Sequence, residues 1–318
     1  MSSRRHRLGL LVVLFVGAAF AGACRDEAGV IPDRLPESIA EEALPPTPKL
    51  ALAGEVDAPP APGAPVVLAL AARDGETWAD RVELHRTVRH SGPGVPRAES
   101  EIGQELTVEH QVVGGRIRAR VSDVELQVKP ELPDAAAAFR KDLEGLSYSF
   151  ARDARGRATD VQLGPDAAPG ARAALRAFSA AMDTASVALP EGPVAAGATW
   201  TTERDVTVPL TGDAEVPGHV RTEATLRGVA TVDGRPHAVI ALTLRQDLRG
   251  SFPTDGATAE VVGAAKGQGV ALLDLERGRI DRLEVAVGSR HELLVQEPAG
   301  RRLLVQEETL RLLSREVR

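Results

Sequence analysis

One cysteine, Cys24, stands in 318 residues, and asparagine is absent. A lone thiol excludes an internal disulfide framework, so the fold has to stand on its apolar core. Aromatic residues make up 3% of the chain, and beyond residue 23 they are Trp78, Phe139, Tyr148, Phe150, Phe178, Trp200 and Phe252. So few, so dispersed, do not make the stacking platforms that single-stranded nucleic acids need. Positive charge is also short, with 38 Lys and Arg against 45 Asp and Glu. Arg4, Arg5 and Arg7 precede residue 24 with no acid among them, so the rest of the chain carries a net charge of −10. That excludes the basic footprint of a nucleic-acid partner. The wealth of Arg, Ala, Gly and Pro points to a high-GC bacterial genome.

Long hydrophobic runs are scarce too. The uncharged stretch 8–23 covers sixteen residues behind the three arginines. It is shorter than the run of about 18 or more that a spanning helix needs, and reads as a secretory signal. Ala21-Gly22-Ala23-Cys24 follows. This resembles the lipobox of bacterial lipoproteins, with Ala21 where Leu is usual. The resemblance implies cleavage before Cys24, thioether formation at its thiol and acylation (palmitate and its like), which would exceed the two signals that stable anchoring takes. Arg25 stands where an Asp would favour the inner membrane, so the resemblance implies an outer-membrane anchor facing the periplasm. An ordinary secretory signal and an uncleaved anchor are the alternatives.

Residues 25–65 contain nine prolines and show no periodicity. They read as a disordered linker, able to span about 120 Å at ~3.1 Å per residue. From residue 66 the pattern is that of strands. Apolar residues alternate over 102–112, turn at Gly114-Gly115, and resume over 117–128 with a change of parity at Ser122-Asp123 that predicts a β-bulge. Pro133 opens a short helix, residues 148–163 a hairpin, and the two copies of Leu-Leu-Val-Gln-Glu at 293–297 and 303–307 another. Over 169–189, Leu175, Phe178, Met182, Ala185 and Leu189 recur at helical spacing, which predicts an amphipathic helix ended by Pro190. The fold class is mainly β, a β-rich α+β domain over 66–318. A curved antiparallel sheet or half-barrel would wrap one or two helices, because a one-faced sheet needs a cover.

Leu143-Glu144-Gly145 with Gly156-Arg157, the run Leu189-Pro190 to Gly197-Ala198-Thr199-Trp200, and the strand end Asp274 to Gly278 resemble a family of uncharacterised bacterial lipoproteins built as one β-rich domain. The layout is also similar to lipoprotein-carrier (LolA-like) half-barrels, which implies room for a lipid. Neither resemblance implies an enzymatic activity or a cofactor.

Catalytic motifs are incomplete. His291-Glu292 lacks the second histidine of a zincin, Gly145-Leu146-Ser147-Tyr148-Ser149 lacks the last glycine of a nucleophile elbow, and Gly263 to Gly269 lacks the Gly-Lys-Ser/Thr ending of a P-loop. His85 and His90, five apart, should lie on opposite faces of a strand in solvent. The expectation is a non-enzymatic envelope lipoprotein without cofactor or metal. Its partners are the membrane, through lipidated Cys24, and a lipid or an envelope protein. Leu175, Phe178, Met182 and Trp200 line its apolar groove or core. A purely structural envelope protein and a hydrolase with a dispersed site are the alternatives.

Overall fold

The computed structural model describes residues 31–51, 64–153, 155–164, 188–209, 215–254, 257–297 and 300–317. Eleven strands follow in order: β1 (Thr77–Gly92), β2 (Val95–Val113), β3 (Arg116–Lys129), β4 (Ser147–Arg152), β5 (Ala158–Leu163), β6 (Thr199–Pro209), β7 (Glu215–Val232), β8 (Arg235–Thr254), β9 (Ala257–Asp274), β10 (Arg279–Glu297) and β11 (Gly300–Val317). They form one antiparallel sheet in the order β5-β4-β3-β2-β1-β11-β10-β9-β8-β7-β6, open between β5 and β6 among the described residues. Two meanders, β1–β5 and β6–β11, are joined where the first strand pairs with the last, in continuous register from Ala79↔Val317 to Ser91↔Val305. Between β3 and β4 lies the helix α1 (Pro133–Leu143), with Pro133 in its first turn.

Alternation along each strand sorts the side chains onto two faces. One face is apolar from edge to edge: Leu106, Val121, Leu226, Ile240, Leu273, Val285 and Leu312 form one buried cluster, which also takes in Leu143 and Leu146 at the end of α1 and Leu68 and Leu189 from the connections. Toward the tips of the β8–β9 and β10–β11 hairpins a second cluster continues it with Val216, Leu248, Phe252, Val261, Leu293 and Leu304. The expected parity change is a bulge: Thr107 pairs with Ser122 but Glu105 with Glu125, and Asp123 takes φ +53°.

At its other end the sheet curls. A flat sheet of this order would hold its outer strands nearly 50 Å apart, at about 4.8 Å per strand. Yet the β4–β5 turn and β6 meet through two residues. Leu189 N–H donates to the Arg155 carbonyl (3.0 Å), and Trp200 Nε1 on β6 donates to the neighbouring Ala188 carbonyl (2.7 Å). Residues 64–71 run across the same end, with Val66 bridged to Val194 and Ala71 N–H donating to the Gly278 carbonyl. The helix expected over 169–189 lies outside the described residues except for Ala188 and Leu189, which are buried loop residues.

The other face departs from the expected free linker. Residues 31–51 form a strap across it, with one short 3₁₀ turn at Glu41–Ala43. Leu35 and Ile39 are buried against Val262, Ala264 and Leu294. Arg249 donates to the carbonyls of Pro36 and Glu37, and Gln268 to that of Pro48. Pro45 approaches Gly288 so closely that a Cβ there would lie 2.4 Å from the Pro45 carbonyl oxygen. Ala51 N–H donates to the fully buried Glu284, whose carboxylate also takes Arg311 Nε at 2.7 Å. Proline richness hid five apolar anchors at irregular spacing: Ile31, Leu35, Ile39, Leu44 and Leu50. A prolyl chain has few hydrogen-bond donors of its own but offers carbonyls that strand side chains can reach. Leu35→Ala and Ile39→Ala are each expected to destabilise the protein by on the order of 2 kcal/mol, the low end for core truncation because a surface strap can resettle. A chain beginning at residue 64 should melt well below one beginning at residue 24. Equal melting temperatures in denaturation scans would mean that the strap contributes nothing.

Candidate functional site

β1 opens Thr77-Trp78-Ala79-Asp80, which puts Trp78 and Asp80 on one face. Register then sets a row across five strands: Trp78 faces His110, His110 faces Ala119, Ala119 faces Tyr148 and Tyr148 faces Leu163. The Trp78 and His110 rings stack with centroids 4.7 Å apart and planes 14° from parallel. A single oxygen holds both: Asp80 Oδ2 accepts from Trp78 Nε1 at 3.3 Å and lies 3.1 Å from His110 Nε2. The Arg279 guanidinium sits over the indole, 5.1 Å from the centroid, and is itself 2.9 Å from Glu316. The residues of this row, on the apolar face, border a cleft of about 940 Å³, as do residues of the alternate parity whose side chains stand on the opposite face, among them Glu109, Arg118, Arg120 and Ser149. The volume falls in the range of small-molecule sites.

Electrostatics at the cleft follow from burial. The Tyr148 hydroxyl is pushed well above its ordinary value by desolvation and further by the Asp80 carboxylate. Arg152, with its charge 5.9 Å from the Phe150 ring, is pulled down by burial and by Arg279 while Asp80 opposes. Burial raises the Glu316 carboxyl; Arg279 and Arg277 draw it down, and the adjacent Asp281 pushes it up again. The cleft thus presents aromatic faces and ion-paired charges. His110 Nε2 faces Asp80, and its Nδ1 is buried without a hydrogen-bond partner.

Behind this end lies a charged cluster that could be taken for a metal centre. His237, Asp274 and Asp281 bring one ligand atom each to within 4.8 Å of one another, all buried. The residues do not fit a cation. Arg235 already places its guanidinium 2.6 Å from Asp274 Oδ2 and 3.3 Å from Asp281 Oδ2. His237 spends Nε2 on Asp281 (2.9 Å) and Nδ1 on the Arg235 carbonyl (3.0 Å). Asp274 Oδ1 accepts from the Glu276 and Arg277 amides, closing the β9–β10 turn. Burial would raise the Asp274 carboxyl, but those amides and the charges of Arg235 and His237 hold it below its ordinary range. The cluster ties turns together by charge.

A polar belt also crosses the apolar face between its two clusters. His90, Gln306, His291 and Gly263 form one cross-strand row. Arg86 on β1 clasps Glu308 on β11 with contacts of 2.6 and 2.7 Å. His291 lies over Gly263, where a Cβ would be 2.3 Å from its Cδ2. Gly263 is therefore space for a ring, in a regular strand. Burial and then Arg86 lower the His90 value while Glu308 opposes, and burial lowers that of His291. His85 does face solvent on the opposite side, as its spacing implies; His90 is buried, because it shares the apolar face with the two clusters.

Of the residues singled out from sequence, Cys24, Leu175, Phe178 and Met182 lie outside the described residues. Trp200 is half-buried against the apolar cluster and does not line the cleft. Trp78, His110 and Tyr148, which border it, are not among the residues that the sequence pattern singles out. The available signal was Trp-x-Asp at the mouth of a strand, an indole and a carboxylate on one face. No protein-family model and no curated protein matches the chain.

Two pH effects test this electrostatic picture. Tyr148 is the only tyrosine, so absorbance near 295 nm reports it alone. It should stay protonated at pH 10–11 until the fold is lost. Because its folded value is raised, stability should fall as pH rises above about 10, where the unfolded phenol ionises. An ordinary phenolate titration in the folded protein would contradict the burial. For the belt the sign is opposite: the unfolded histidines take up protons near 6.5 before the folded ones, so stability should decline as pH falls below about 6.5. The double variant His90→Gln/His291→Gln should flatten that slope in urea melts; an unchanged slope would assign it to other groups.

Proposed function

We propose that this chain is a lipid-anchored, non-enzymatic envelope protein that binds an amphiphilic small molecule in the Trp78–Tyr148 cleft. The anchor is Cys24, carried by the signal and lipobox pattern of residues 1–24, and the compartment the periplasmic side of the outer membrane, carried by Arg25 after it. The observation that carries the binding role is the cleft itself. Apolar ring faces and Ala119 and Leu163 stand in one row on the apolar face, and Arg118, Arg120 and Glu109 alternate with them and stand on the other face at the same edge of the sheet. Such a lining suits a ligand with an apolar body and a polar, hydrogen-bonding end. The reading includes the half-barrel, with α1 and the 169–189 segment as cover. Its support is that Leu143, Leu146 and Leu189 are buried with the central strands.

The support for the non-enzymatic part is that Asp80 is engaged by both Trp78 Nε1 and His110 Nε2, a contact that positions the rings. Native mass spectrometry of the purified mature domain should show a copurified lipid-like adduct. A titration with the apolar fluorophore N-phenylnaphthylamine should show saturable uptake. Trp78→Ala should weaken uptake about tenfold, near 1.4 kcal/mol, while Trp78→Phe keeps most of it. No adduct and no saturable uptake in the unaltered protein would overturn the binding role and leave a structural envelope protein.

A further inference from the structure

The strap changes what the anchor does. A free linker from residue 25 to 65 would let the domain drift far from a bilayer. The docked strap leaves only residues 25–30 between Cys24 and Ile31, whose side chain already packs beside Leu35. Seven Cα steps reach at most about 25 Å.

The strap also has a direction. Its first contacts lie at the tip of the β10–β11 hairpin, where Asp33 is 2.6 Å from Arg301 and Ile31 packs near Leu303. It then descends past Arg249 and Gly288, and ends at Ala51 on Glu284, toward the curled end. The β1–β2 turn and the described ends of β6 and β7, β8 and β9, and β10 and β11 that face one another in sequence all lie on the rim where it begins. The β7–β8 and β9–β10 turns and the Trp78 cleft lie on the other, about 50–60 Å away for strands of this length at ~3.3 Å per residue.

We infer that the strap holds the hairpin-tip rim toward a lipid bilayer, within about 25 Å of it, and turns the Trp78 cleft away from the surface. The occupant of that rim is the lipid surface itself. The rim carries the upper apolar cluster with Val95, Val208 and Val295 partly buried in it, so what faces the bilayer is the end of the apolar face. This orientation rests on the anchoring proposed above, and the experiment that follows separates the two.

Once Cys24 is acylated no native thiol remains, so an engineered cysteine can be labelled alone. Ala98→Cys places a donor fluorophore at the rim on β2, and Thr231→Cys places one at the far end on β7; both positions are exposed. The acylated full mature chain is reconstituted in vesicles of phosphatidylethanolamine and phosphatidylglycerol with a headgroup acceptor. Energy transfer should be several-fold higher from position 98 than from 231. Unseating the strap with Leu35→Asp/Ile39→Asp should erase the difference. Inserting twenty Gly/Ser residues between Val30 and Ile31 should lower transfer at both positions. An anchored protein with equal transfer from both sites overturns the inference and leaves the anchor standing. A protein that fractionates as soluble with Cys24 intact, or a Cys24→Ser variant that stays in the membrane fraction, overturns the anchor and the inference with it.

Discussion

The structure depends on the ladder between its first and last strands. β1 and β11 are separated by more than two hundred residues, yet pair without a break from Ala79↔Val317 to Ser91↔Val305. Each meander alone would be half a sheet with a long unpaired edge, which invites pairing with other chains. The seam makes two halves into one apolar face, because register fixes which side chains share it. Val82 on β1 and Leu312 on β11 lie in one buried cluster with Val108 and Val121 from the first meander and Ile240 from the second. Such a nonlocal pairing closes a large loop before it is rewarded, so it belongs to the slow end of folding.

Charges also pair across this seam. Arg86 reaches across it to Glu308, and Arg315 to Glu83 on the other face. At its curled end the Arg279–Glu316 pair carries the guanidinium onto Trp78. A desolvated pair is weak support for stability by itself but makes a shifted register costly, since a one-residue slip would leave each charge buried and alone. The cleft is built on this: Asp80 holds the Trp78 indole nitrogen and Arg279 covers its ring, and both depend on β1 lying between β2 and β11.

The strap and the curled end act on opposite faces with related results. Glu284 is accepted in the interior because Ala51 and Arg311 donate to it, and Gly288 leaves the room through which Pro45 approaches. At the other end Arg155, Leu189 and Trp200 link the outer strands without a ladder between them. An open sheet thereby avoids a flat apolar face while keeping a mouth for the cleft.

Local pattern alone determined the strands. Alternation over 102–112, the parity change at Ser122-Asp123 and the repeated Leu-Leu-Val-Gln-Glu are all readable because a pleated strand has a period of two and a bulge breaks it. The reading of residues 1–24 as a signal with a cysteine at its exit likewise rests on short-range pattern. What only the tertiary structure decided is whatever requires distant residues to meet. His90 reads as solvent-facing until Gln306 and His291 are placed beside it. Trp78 reads as an ordinary strand residue until His110 and Arg279 bracket its ring. The prolines of 31–51 read as a spacer until Val262 and Leu294 offer Leu35 and Ile39 a surface. Periodicity reports a segment's own geometry; burial and pairing belong to partners that the segment does not contain.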